Sequence, residues 1–215
     1  MRLHLLPPLL LIALFCLAAT DAPFEKEIRA FEQADRDHAP PKDAVLFIGS
    51  SSIRLWDTLA KDFPDVPVIN RGFGGSRIAD SVRYADRIAI PYHPRKIVLY
   101  AGDNDIAAGK SPRQVLGDFQ AFVDKVHAAL PDVPIAFISI KPSIARWKLV
   151  DKIREANRLI VDYAKQAKHV EYIDIFTPAL APDGKPRKEL FRDDGLHLNR
   201  KGYELWKSVI EPTLK

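Results

Sequence analysis

Cysteine is all but missing from the 215 residues: Cys16 is the only one. It lies inside an apolar stretch, residues 5–19, that follows Met1-Arg2-Leu3-His4 and closes on the small residues Ala18, Ala19 and Ala22. A basic start, a short apolar core and a small-residue end are the layout of a secretory signal peptide. The expectation is therefore a cleaved leader over residues 1–22, a mature chain starting between Thr20 and Pro23, and export to the periplasm or the extracellular space. Bulky Phe15 directly before Cys16 argues against a lipidated cysteine. Without the leader the chain has no thiol. That excludes a cysteine nucleophile, a thiolate zinc site and an iron–sulfur cluster, and it leaves stability to core packing rather than to disulfides. The apolar run is also shorter than the roughly 20 residues of a spanning helix and contains Pro7 and Pro8. No membrane span is expected after cleavage.

A basic stripe is missing as well. The net charge is +4, from 32 Lys and Arg against 28 Asp and Glu, and stretches such as residues 29–37 and 146–158 mix both signs. Mixed charge of this kind marks solvated helix faces. Nothing interleaves basic with aromatic residues as a nucleic-acid surface would, so no nucleic-acid partner is expected. Internal repeats, low-complexity tracts and linkers are absent too, and residues 23–215 suit one α/β domain.

What the chain does have is a strand–helix rhythm. Phe24, Ile28 and Phe31 recur at helical spacing among charges, which predicts an amphipathic helix over 24–36 ending at Pro40-Pro41. Apolar runs predict strands over 44–48, 67–70, 96–100, 134–140 and 170–175. Helices are predicted between them over 52–62, 78–88, 112–130 and 148–168, with a last one over 200–214. Pro112 and Pro131 stand where a helix tolerates proline. Strands alternating with helices imply an α/β fold, a three-layer α/β/α sandwich around a five-stranded parallel sheet, because right-handed crossovers cover both faces. A flavodoxin-like order 2-1-3-4-5 fits best, with the ligand site at the switch point between the first and third strands.

Four polar motifs stand out: Gly49-Ser50-Ser51-Ser52, Gly72-Phe73-Gly74-Gly75, Gly102-Asp103-Asn104-Asp105 and Asp194-Gly195-Leu196-His197. The first three follow predicted strands, so they gather at one sheet edge. A serine becomes a useful nucleophile when a base lies within hydrogen-bond reach and backbone donors face the developing oxyanion. A turn from strand to helix at Gly49 offers both, with Ser50, Ser51 and Ser52 as candidates. Asp194 and His197 are three residues apart, close enough for the carboxylate to hold one ring nitrogen while the other faces the serine; Asp193 competes for that place. Asn104 can donate its amide to an oxyanion, and Gly75 its backbone N–H. The glycines do not match a dinucleotide fingerprint in spacing or position, which discounts NAD and FAD.

These motifs, in this order, resemble blocks I, II, III and V of the SGNH hydrolases, also called GDSL esterases and lipases. The resemblance covers residues 45–203 and is densest in Asp194-Gly195-Leu196-His197-Leu198-Asn199-Arg200-Lys201-Gly202-Tyr203. It implies Ser51 as nucleophile, His197 as base and Asp194 as its carboxylate, with an oxyanion hole from the N–H groups of Ser51 and Gly75 and the side chain of Asn104. Block I departs from the family in reading Gly49-Ser50-Ser51 for Gly-Asp-Ser. No metal or cofactor is implied.

The implied substrates are small-molecule esters, acylated glycans or lipids, with short acetyl-like acyl groups foremost. Lysophospholipase, thioesterase or acyltransferase activity on the same residues is the alternative, and a non-catalytic secreted binding module comes last. Lys141, Ser143, Arg146 and Trp147, after the fourth strand, are candidates for the substrate pocket.

Overall fold

A computed structural model describes residues 22–214. The expected leader lies outside the described residues but for Ala22. Among them, no helix is long and apolar enough to cross a membrane.

Five strands form one sheet: β1 (Val45–Gly49), β2 (Val68–Gly72), β3 (Lys96–Tyr100), β4 (Ile135–Ile138) and β5 (Val170–Ile173). All pairings are parallel, in the order β2-β1-β3-β4-β5. The three central strands β1, β3 and β4 are buried at every position. That explains their unbroken apolar runs, since a parallel sheet is covered on both faces.

Alternate residues of each strand feed two cores. Leu46, Ile48, Ile97, Leu99, Ile135 and Phe137 face one side. There they meet helices α1 (Glu25–Asp37), α4 (Ile78–Ile88), α6 (Pro112–Ala129) and α7 (Val150–Ala164). Val45, Phe47, Val98, Tyr100, Ala136 and Ile138 face the other. That side is closed by the short helices α2 (Ser51–Arg54) and α3 (Leu59–Asp62) and by α8 (Arg200–Ile210). One more single-turn helix, α5 (Asp103–Ala107), follows β3. The amphipathic first helix packs on α4 and is tied to it by Arg87, whose guanidinium meets Glu25 at 2.8 Å and Glu32 at 2.6 Å.

Two segments differ from the pattern of predicted elements. The helix expected over 52–62 is two single turns, α2 and α3, because Trp56 between them turns inward. It is 1% exposed and stacks on Tyr203 with ring centroids 5.0 Å apart. Its indole N–H donates to the Asp62 carboxylate at 2.7 Å, so the chain bends around a buried ring instead of continuing a helix. The stretch after β3 that carries Asn104, where the sequence pattern predicts no element, is the helical turn α5. Its single turn is too short to leave an apolar periodicity.

Asp62 also ties α3 to α8. Arg200, at the start of α8, binds both its oxygens at 2.7 Å and donates to Thr58 at 2.7 Å. Burial alone would raise the Asp62 carboxyl, but hydrogen bonds from Arg200, Trp56 and Thr58 more than offset it and hold it at about 2. A carboxyl lowered on folding stabilises above its ordinary value of 3.8, and that contribution is lost as pH falls towards about 2. Asp62→Asn should therefore be less stable than wild type in urea at neutral pH, and the gap should narrow between those two pH values. A gap independent of pH would contradict this account.

Candidate active site

The site begins with a close approach that only glycine allows. A Cβ on Gly49 would sit 1.9 Å from the Tyr100 carbonyl oxygen, and the residue has φ +140°. The bare Cα lets the end of β1 lie against the end of β3, and the Ser50 N–H donates to the same carbonyl at 3.0 Å. The chain then turns into α2, with Ser51 as its first residue. The segment after β2 is held to the same edge by the Phe73 N–H, which donates to the Gly49 carbonyl at 2.9 Å.

Of the three neighbouring serines, Ser51 meets the imidazole: its Oγ lies 3.0 Å from His197 Nε2. Ser50 and Ser52 are 3% and 1% exposed, and the Ser52 hydroxyl has no partner. His197 Nδ1 lies 2.6 Å from Asp194 Oδ2. Asp194 Oδ1 in turn accepts the N–H groups of Leu196 and His197, both at 2.8 Å. The carboxylate and the imidazole thus share one tight turn, in which Gly195 takes φ +62°. With the carboxylate accepting, Nδ1 carries the proton and Nε2 is left to accept from the serine hydroxyl. Burial raises the Asp194 carboxyl, but the hydrogen bonds from His197 and the two backbone N–H groups outweigh it and lower it to about 2. Asp194 is therefore ionised throughout the neutral range. Its side chain remains 46% exposed, against 25% for His197.

Ser51, His197, Gly75 and Asn104 line one cleft of about 460 Å³ together with Glu27, Arg54, Gly74, Arg146 and Leu196. Gly75 has φ +83°, a left-handed conformation that suits glycine. Asn104 sits in the first turn of α5, where its Nδ2 donates to the Ser76 carbonyl at 3.0 Å.

The four pocket candidates after β4 part company. Arg146 reaches the cleft, with Nη2 donating to Asn104 Oδ1 at 3.0 Å. Lys141 lies beneath it, 2% exposed, paired with Asp103 at 2.9 Å and donating to the Tyr100 hydroxyl at 3.0 Å. Ser143 is buried, and Trp147 is half-buried in the 3-10 turn before α7, outside the cleft lining. Strand β4 stops at Ile138, and the chain beyond it stays buried through Lys141 and Ser143 before Arg146 reaches the cleft.

Two lining residues carried less signal in the sequence. Arg54 stands three residues after Ser51, a spacing that puts both on one face of a helical turn. Glu27 comes from α1 and reaches the cleft only through the packing of that helix on α4. A larger hollow of about 540 Å³, lined by residues such as Phe63, Arg95 and Leu214, lies where β2 and β3 begin, at the opposite edge of the sheet.

Residues 49–205 match the model of the GDSL-like lipase/acylhydrolase family, and the chain belongs to that family. Its members are hydrolases of ester bonds, and this protein is one by class. Solved structures share the fold at low identity. A GDSL-like lipase from Bacteroides thetaiotaomicron is 21% identical with a TM-score of 0.76, over 87% of this chain and 96% of its own. A carbohydrate esterase family 3 protein from Talaromyces cellulolyticus is 21% identical with a TM-score of 0.66, over 80% and 95%. An acetyl esterase variant with bound acetate ion is 19% identical with a TM-score of 0.63, over 80% and 95%. No curated protein matches the chain.

Replacing Asp194 by Asn keeps the shape of the turn but offers the imidazole an amide in place of a charge. In buried triads that change costs roughly 10⁴ in kcat. Water reaches the half-exposed Asp194 and partly screens its charge, so the expected loss in Asp194→Asn is smaller, about 100-fold. Steady-state ester hydrolysis with Asp193→Asn as the companion variant checks this; equal losses in the two would refute the assignment to Asp194.

Proposed function

We propose that this protein is an exported serine esterase that removes short, acetyl-like acyl groups from polar alcohols, carbohydrates foremost. The observation that carries the reading is the line of contacts from Ser51 Oγ through His197 to Asp194, opening on a cleft that also holds Gly75 and Asn104. In the proposed reaction Ser51 attacks the ester carbonyl while His197 Nε2 takes the hydroxyl proton. The oxyanion is met by the N–H groups of Ser51 and Gly75 and by the Asn104 amide. Collapse of the tetrahedral intermediate breaks the ester C–O bond, and His197 returns the proton to the departing alcohol. Water, deprotonated by His197, then releases the acyl group and restores Ser51.

The lining of the cleft supports the choice of substrate. Leu196 is its one large apolar side chain, beside the charged Glu27, Arg54 and Arg146. A long acyl chain would find little apolar surface there, and each methylene left in water forgoes about 0.8 kcal/mol. Polar hydroxyl-rich alcohols suit charged walls better. The secretory layout of residues 1–22 supports action outside the cytoplasm, on an envelope or extracellular ester.

A fluorophosphonate probe should label the purified protein, and labelling should vanish in Ser51→Ala while persisting in Ser50→Ala and Ser52→Ala. On a series of esters, kcat/KM should be highest for acetyl and fall by octanoyl. Retained labelling in Ser51→Ala, or a preference for octanoyl, would each sink the corresponding half of the proposal.

A further inference from the structure

Behind Asn104 lies a chain of charges that the proposed acyl transfer does not use. Asp103 and Lys141 are 3% and 2% exposed, deep at the edge where β3 and β4 end. Lys141 pairs with Asp103 Oδ2 at 2.9 Å, and Arg146 pairs with Asp103 Oδ1 at 2.8 Å. Burial would raise the Asp103 carboxyl, but Lys141 and Arg146 overcome it and keep it below the ordinary range. Two cations therefore share one buried carboxylate, and Arg146 carries the excess positive charge towards the cleft. Its other nitrogen, Nη2, donates to Asn104 Oδ1 at 3.0 Å.

A buried ion pair gains little stability over a well-packed apolar pair of similar volume, so stability alone is a weak reason for this arrangement. Its effect on Asn104 is specific. A side-chain amide has an acceptor end and a donor end of nearly the same shape. With Arg146 at Oδ1, a flipped amide would set two donors against each other. One Nδ2 hydrogen is given to the Ser76 carbonyl, which leaves the second uncommitted in an amide pinned at both ends. A cation at the carbonyl oxygen also draws electron density from the amide nitrogen and sharpens it as a donor.

We propose that Arg146 is a positioning residue that acts through Asn104: held by the buried Asp103–Lys141 pair, it fixes and polarises the amide that meets the oxyanion. The proposal rests on the serine esterase reading above. Arg146, although it borders the cleft, then acts on the transition state through Asn104 and adds little to the binding of the ground-state substrate.

The test is a double-mutant cycle on a short-chain nitrophenyl ester, with wild type, Asn104→Ala, Arg146→Ala and the double variant. Asn104→Ala should lower kcat about 100-fold, as the loss of one oxyanion donor does. Arg146→Ala should lower kcat about ten-fold with KM nearly unchanged, and the double variant should be no slower than Asn104→Ala, since residues acting through one group do not add. Arg146→Lys keeps the charge but lacks the fork that bridges Asp103 and Asn104. It should fall between wild type and Arg146→Ala, and it carries the same cycle should Arg146→Ala not fold. Losses that multiply in the double variant, or a raised KM with kcat unchanged, would overturn the proposal and make Arg146 a substrate contact. A folded wild type that turns over no ester would instead overturn the esterase reading, and this inference with it.

Discussion

The close approach of Gly49 to the Tyr100 carbonyl is the constraint on which the rest of the molecule hangs. β1 and β3 are neighbours in the sheet although β2 comes between them in sequence, and their last residues, Gly49 and Tyr100, are paired in register. Any side chain at Gly49 would strike backbone, not a yielding side-chain tip. Because it has none, the turn holding Ser51 and the turn holding Asn104 start from the same point on the sheet edge. Parallel strands alone would bring the two segments to one edge; the missing Cβ brings them to one cleft.

Two sets of charged contacts then set how the parts of that edge meet. Arg200 grips Asp62 with both nitrogens and so ties the segment after Ser51 to the helix that follows His197. The Tyr203 hydroxyl, donating to the Ser52 carbonyl at 3.0 Å, adds a second tie between the same two segments. Asp103, Lys141 and Arg146 do the same for the turn after β3 and the loop after β4. In each case one carboxylate is met by more than one partner, hydrogen bonds from Arg200, Trp56 and Thr58 at Asp62 and the charges of Lys141 and Arg146 at Asp103, which is how a buried charge is made tolerable. These contacts are long-range in sequence, and the two-pronged grip of Arg200 on Asp62 fixes orientation as well as proximity. Ser51, His197 and Asn104 stand on three separate turns, and their mutual placement depends on that orientation more than on extra stability.

Much of the fold was legible without coordinates. The five apolar runs, their alternation with helical patterns and the positions of the four polar motifs led to the parallel sheet and its order, because a strand buried on both faces has to be apolar at nearly every position. The breaks in helicity were not legible. Trp56 looks like any aromatic residue in an amphipathic stretch, and its inward turn depends on Tyr203 and Asp62, one of them nearly 150 residues away. The same holds for Lys141, which read as a cleft residue because it follows a strand. It is drawn inwards by Asp103, whose burial no local pattern announces.

The sequence by itself determined the class of the chain and the order of its parts: local patterning sets strands and helices, crossover handedness sets the sheet, and the strand ends put Ser51, Gly75 and Asn104 at one edge. Which serine meets the imidazole, which aspartate holds it and which of the basic residues after β4 faces the cleft were decided by the tertiary structure. Those choices turn on contacts of about 3 Å between segments up to 146 residues apart, as between Ser51 and His197. A hydrogen bond acts only at such distances and only in particular directions, and neither is defined until the packed core has placed both partners.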